Sequence, residues 1–199
     1  MVVERTWASP EDFATLFKYF WHRDFPQSPI ATGVRRIDWT IHIGIIVRNI
    51  ADLMGVYTRF ERGGRTDAIF RVANKDLVAV EWEWSGALHG ENELGKLKDY
   101  KVRGTDSLRY CVLVTYVHTP YINAVYEHVL KKWEDARWPL LLILIDYSDS
   151  AKISSRRIFN KVNISLFNGK MREEFDIFPA LPWEVKETRF VEVKPSALC

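Results

Sequence analysis

Cysteine is scarce in this chain: Cys111 and Cys199 are the only two among 199 residues. Two thiols make neither a disulfide framework nor a four-ligand zinc site. Cys111 lies in an apolar run and reads as a small core residue, while Cys199 is the last residue and reads as a frayed end. Long hydrophobic runs are missing too. The longest, Leu140–Ile145, is six residues, against about 20 for a membrane-spanning helix. With Glu4 near the start and no apolar stretch around it, no signal peptide is expected. These absences lead to the expectation of a soluble, cytoplasmic protein with no membrane partner. Excess charge is also absent: Lys plus Arg number 28 and Asp plus Glu 26, a formal +2. A basic coat is therefore excluded, and any nucleic-acid surface must be a local patch.

Several motifs are missing as well. There is no G-x-x-x-x-G-K-[ST], no G-x-G-x-x-G opening a helix, no G-x-S-x-G and no H-E-x-x-H, so nucleotide-hydrolysing, dinucleotide, α/β-hydrolase and zinc-protease readings lose their support. His22, His42, His89, His118 and His128 are scattered, and His42 reads as core packing. What is abundant is aromatic: 8 Trp, 8 Tyr and 11 Phe within a 47% apolar composition, enough for a large core. No repeat or compositional break divides the chain, so a single domain over residues 1–199 is expected.

Ser9-Pro10-Glu11-Asp12 supplies an N-cap, a first-turn proline and first-turn acids. The apolar stripe Phe13, Leu16, Phe17, Phe20, Trp21 then predicts a helix over 9–24. A second helix is expected from Asp38 to a stop at Gly55, with Ile41, Ile45, Ile46, Ile50 and Leu53 inward. Three short β-like runs follow (56–60, 67–72 and 77–84), separated by Gly63-Gly64 and Asn74-Lys75-Asp76, which reads as an antiparallel meander. A helix at about 91–101, an apolar strand at 110–117, a helix from Thr119 and a strand at 140–146 form a pattern whose parallel strands are buried on both faces. From residue 150 the chain reads as a hairpin around Asn168-Gly169 and a tail, to 199. The fold class is therefore α/β with a mixed sheet flanked by helices, its core at about 38–147.

Within this order one stretch carries chemistry. Asp67 opens the second strand, and Glu81-Trp82-Glu83 ends the third. Residues two apart in a strand share a face, so Glu81 and Glu83 should point one way and Val80, Trp82 and Trp84 the other. Pairing of the two strands brings Asp67 beside them. Carboxylates so placed raise one another's pKa unless a hard divalent cation bridges them. Mg2+ suits one or two carboxylates plus a substrate phosphate, and supplies phosphodiester-cleaving chemistry. The bland alternative is a wet edge strand beside a turn acid.

Gly63-Gly64-Arg65-Thr66-Asp67 and Glu81-Trp82-Glu83 resemble the motifs of the PD-(D/E)XK nuclease superfamily, nearest to restriction endonucleases of the BamHI type, whose signature ends in a second glutamate. The resemblance covers residues of about 38–117. It implies a restriction-endonuclease-like fold and a Mg2+-dependent DNA endonuclease (Mn2+ the substitute cation) acting through a metal-activated water. Asp67, Glu81 and the Trp82 carbonyl would be metal ligands, and Glu83 would handle the attacking water. The superfamily lysine is missing at Glu83; Lys96 or Lys98 on the following helix would replace it, and Glu61 or Asp52 would be an additional acid. The nearest subgroup implies a type II restriction enzyme, hence a homodimer. A phage or viral nuclease, a junction resolvase, or a catalytically inactive nucleic-acid-binding protein on the same core remains the alternative.

Arg59, Arg62, Arg65 and Arg71 surround Asp67 in sequence, as phosphate contacts or as counter-ions. Residues 149–172 carry Lys152, Arg156, Arg157, Lys161, Lys170 and Arg172 against the single acid Asp149. That hairpin is the expected DNA-backbone contact, through Arg156, Arg157, Lys161 and Lys170 together with Arg62 and Arg65.

Overall fold

The computed structural model describes residues 9–26, 36–62, 66–84, 93–100, 107–149 and 157–185. Helix α1 (Pro10–Arg23) begins at a closed capping box. The Ser9 N–H donates to Asp12 Oδ2 at 2.9 Å and the Asp12 N–H donates to Ser9 Oγ at 3.3 Å, so two orphan donors of the first turn are satisfied reciprocally. The stripe buries as expected, with Phe13, Phe17, Phe20 and Trp21 inside.

Helix α2 (Arg36–Met54) ends at Gly55, whose φ of 69° is the left-handed stop that a residue with a Cβ resists. Its inward face differs from the expected one. Trp39, His42, Ile43, Ile46, Val47, Ile50 and Ala51 are buried, whereas Ile41, Ile45 and Leu53 are exposed. The helix carries large apolar residues on more than one side, and packing against the aromatic cluster of α1 selects the face with Trp39, Ile43, Ile46 and Ile50. Trp39 and His42 pack on Trp21 and Phe25, which makes His42 a packing residue.

Strands β1 (Tyr57–Arg62), β2 (Thr66–Val72) and β3 (Lys75–Glu83) form the expected antiparallel meander. Helix α3 (Glu93–Lys98) leads to β4 (Tyr110–His118), and α4 (Ile122–Trp133) leads to β5 (Leu140–Asp149). Strands β3, β4 and β5 run parallel. Strands β6 (Arg157–Asn168) and β7 (Met171–Pro179) close on Gly169, φ 59°. This hairpin is no separate appendage: it extends the same sheet, whose order is β1-β2-β3-β4-β5-β6-β7.

Alternation sorts the sheet's side chains onto two faces. Phe70, Val80, Val112 and Ile143 pack under α1 and α2, and Ala79, Leu113 and Leu142 pack under α3 and α4. Cys111 is fully buried on the second face, where burial pushes its thiol pKa up, an inert core residue as expected. No helix among the described residues is long and apolar enough to cross a membrane.

One buried ion pair pins the meander. Arg71 Nε lies 2.6 Å from Asp76 Oδ1 at the β2–β3 turn, and Tyr100 Oη donates to Asp76 Oδ2 at 3.0 Å. Arg71 is thus a counter-ion for Asp76, not a phosphate contact. Asp76→Ala strands the guanidinium in the core and is expected to destabilise by about 3–5 kcal/mol, read as a lower midpoint in urea unfolding. An unchanged midpoint would show that the pair holds nothing.

Candidate functional site

The carboxyl ends of parallel strands β3, β4 and β5 lie together, and the informative residues gather beside them. The β2–β3 ladder runs from Val72↔Lys75 to Ala68↔Val80. Beyond Ala68, the Trp82 N–H donates to Asp67 Oδ2 at 2.8 Å. The Asp67 carboxylate therefore does for Trp82 what a backbone carbonyl does elsewhere in the ladder, and this sets the carboxylate against the end of β3. Trp82 and Trp84 pack on the α1–α2 face, as alternation requires.

Glu81 is 1% exposed, and the Asp67 and Glu93 carboxyls lie close enough to act on it. Carboxyl groups brought together out of water favour a proton on one of them. Burial first, and then the Asp67 charge, push the Glu81 carboxyl up to about 10, so at neutral pH Glu81 carries that proton. Burial raises Asp67 as well, against the opposing effect of the Trp82 N–H. Glu81 Oε1 and Glu93 Oε2 are buried without a hydrogen-bond partner among the described residues. Such oxygens are costly to leave unsatisfied.

Glu93 was not legible as a site residue in the sequence. It opens α3 and is itself buried, and its signal was helical spacing: Glu93 and Lys96, at i and i+3, share one face of α3. Lys96 Nζ sits 2.7 Å from Glu93 Oε1, and its charge reaches Asp67. Of the two candidate lysines, Lys96 joins the cluster. Lys98 instead pairs with Asp135 and donates to the Lys132 carbonyl at 3.1 Å.

The other expected residues scatter. Glu83 was expected beside Glu81, yet its carboxylate turns to Arg36 of α2 and accepts the Trp84 N–H at 2.6 Å. Glu83 is the last residue of β3, still paired with Thr115 of β4 but beyond the β2 pairing, and a cation on α2 draws its carboxylate away. Asp52 is exposed and paired with Arg48 at 3.0 Å. Arg157 reaches the sheet end, its guanidinium 5.0 Å over Trp84 and 4.7 Å over Tyr147. Lys170 is at the opposite end of the sheet, 2.6 Å from Glu134, because β6 runs antiparallel to β5. Lys161 is exposed midway along β6. Arg59 is exposed on β1. Arg65, Arg156, Lys152 and Gly63-Gly64 lie outside the described residues, as do the side chains of Glu61 and Arg62.

A divalent cation is compatible with this donor set. The oxygens are hard donors, and two of them lack a hydrogen-bond partner among the described residues. Among the described residues no three His, Cys, Asp or Glu side chains surround a common point as metal ligands, and Glu81 is held in its protonated form beside Asp67 and Glu93. Taking up a cation there therefore means releasing that proton. In comparison with known proteins, no family model matches the chain, and no curated protein matches it as a relative.

Proposed function

We propose that this protein is a Mg2+-dependent nuclease hydrolysing DNA phosphodiesters, built on a restriction-endonuclease-like core. The observation that carries the reading is the Asp67–Glu81–Glu93 carboxyl cluster, its two glutamates buried and each with an oxygen that has no partner among the described residues, beside Lys96. A cluster of this kind is a poor device for stability and a good one for holding a cation against a phosphate. The motif spacing, the meander and the parallel β3–β4 pair support it.

Asp67, Glu81 and Glu93 would hold the cation, which when bound lowers the pKa of water and polarises a phosphoryl oxygen. Asp67 is oriented by the Trp82 N–H, so its free oxygen has a defined direction. Lys96 offers an ammonium to the negative charge that builds on the phosphate in the transition state. Arg36 and Arg157 flank the site as phosphate or base contacts.

Supercoiled plasmid incubated with Mg2+ or with EDTA tests the proposal. Nicking or linearisation in Mg2+ alone is expected. DNA binding with no nicking under any divalent cation would overturn it in favour of a binding protein on a nuclease-like fold. Lys96→Ala should lower the cleavage rate about a hundredfold, whereas Lys98→Ala should leave it within about twofold, since Lys98 only joins the surface pair with Asp135. Single-turnover rates for the two variants decide between the lysines; equal losses would remove Lys96 from the site.

A further inference from the structure

On the α2 side of the same strand ends lies a cavity of about 180 Å³ that Asp67 also lines. It is smaller than the roughly 300–1,000 Å³ of sites that enclose a drug-sized molecule, so it suits one ring system. Its walls are aromatic: Trp39, Trp82, Trp84 and Tyr116. Trp84 and Tyr116 are a tilted pair with centroids 4.4 Å apart. Polar side chains share the lining: Arg36, Thr40, Asp67 and Glu83. The Arg36–Glu83 ion pair offers donors and an acceptor, and the Tyr116 hydroxyl is buried without a partner among the described residues. Flat faces with a few convergent hydrogen-bonding groups match a nucleobase better than a purely apolar ligand.

We propose that this cavity takes a single unpaired nucleobase of the strand whose phosphate lies at Asp67, so that the preferred substrate is DNA bearing an unpaired or everted nucleotide. The proposal rests on the nuclease reading and extends it to substrate class. Asp67 belongs to both places, so a phosphate held at the carboxyl cluster puts its own sugar and base at the cavity. A base inside a duplex is stacked and cannot enter a recess between side chains, whereas an unpaired one enters at little cost. Arg157, lying over Trp84 and Tyr147, extends the ring-and-cation surface along which the neighbouring strand would run.

Binding is measured in EDTA, where the proposed chemistry cannot proceed, with three duplexes: one fully paired, one with a single bulged 5-iodouracil nucleotide, and one with an abasic bulge. The base-bearing bulge should bind about tenfold or more tightly than the paired duplex, and the abasic bulge should lose that gain, the span expected of one base stacked on aromatic rings. Photo-crosslinks from the iodouracil should map to Trp39, Trp82, Trp84 or Tyr116. Tyr116→Phe keeps the cavity's shape and should shrink the preference for the base-bearing bulge without changing affinity for the paired duplex; Trp84→Leu should do the same more strongly. Equal affinity for base-bearing and abasic bulges, crosslinks elsewhere, or no binding of any duplex would overturn the proposal. The two readings fail separately: cleavage in Mg2+ with no preference for the base removes only the cavity's role, and base-dependent binding without cleavage removes only the nuclease.

Discussion

Asp67→Ala, Asp67→Asn and Glu81→Ala should each lower Mg2+-dependent DNA cleavage by at least about a thousandfold, because each removes an anionic oxygen on which the cation's several kcal/mol of charge stabilisation depends. DNA binding should stay within about threefold, since affinity rests on cationic contacts to the backbone and not on these acids. The three variants differ in what they do to the fold. Asp67→Ala leaves the Trp82 N–H without its 2.8 Å acceptor, a loss of about 1–3 kcal/mol for a buried donor. Asp67→Asn keeps an acceptor oxygen for that N–H while removing the charge. If Asp67→Asn is folded by circular dichroism and inactive across a Mg2+ titration, the charge is what the reaction needs. A rate near wild type for any of the three would displace the metal site from this cluster.

The second large effect is on stability, and its direction runs against the usual result of altering a buried residue. Glu81→Gln, without any metal, should make the protein more stable at alkaline pH. The folded protein holds the Glu81 proton up to about pH 10, against an ordinary value of 4.5. A raised folded pKa means that unfolding releases a proton between those two values. The stabilisation from the protonated group is thus complete below about pH 4.5 and declines progressively as pH rises towards about 10. Gln is neutral throughout and releases nothing. Wild type and Glu81→Gln should therefore melt within about 2 °C of each other near pH 4.5 and diverge above it. By about pH 8, at about 1.4 kcal/mol per pH unit, the variant should be ahead by roughly 4–5 kcal/mol, or about 10–15 °C for a chain of this size. Mg2+ should close the gap by stabilising the wild type, more strongly at higher pH, because the cation replaces the proton. Melting curves from about pH 4.5 to 9, with Mg2+ and with EDTA, check both halves. Parallel pH dependences for the two proteins would show that Glu81 does not hold the proton.

The pairing of Glu81 with Asp67 was readable because it needs only two local rules. Alternation assigns Glu81 a face, and a meander turned near Asn74 brings the start of β2 to the end of β3. The α1 stripe, the Gly55 stop and the Asn168-Gly169 turn were readable for the same reason: each follows from backbone geometry within a few residues. Glu83 failed at the point where those rules stop. It stands at the last residue of β3, beyond the β2 pairing, and the cation that draws its carboxylate away, Arg36, is 47 positions away in sequence.

By itself, then, the amino-acid sequence determined the elements, their order, the mixed sheet and the Asp67–Glu81 pair, all products of short-range periodicity and turn chemistry. Only the tertiary structure decided which face of α2 is buried, since a helix with large apolar residues on more than one side settles its face only when α1 packs against it. The same holds for the placement of Glu93 and Lys96 on the carboxyl pair, which requires α3 to lie along β3. It holds too for the division of the basic hairpin, with Arg157 carried to the site and Lys170 to the far end by the antiparallel run of β6. Contacts between residues far apart in the chain obey packing and charge, and no spacing along the sequence encodes them.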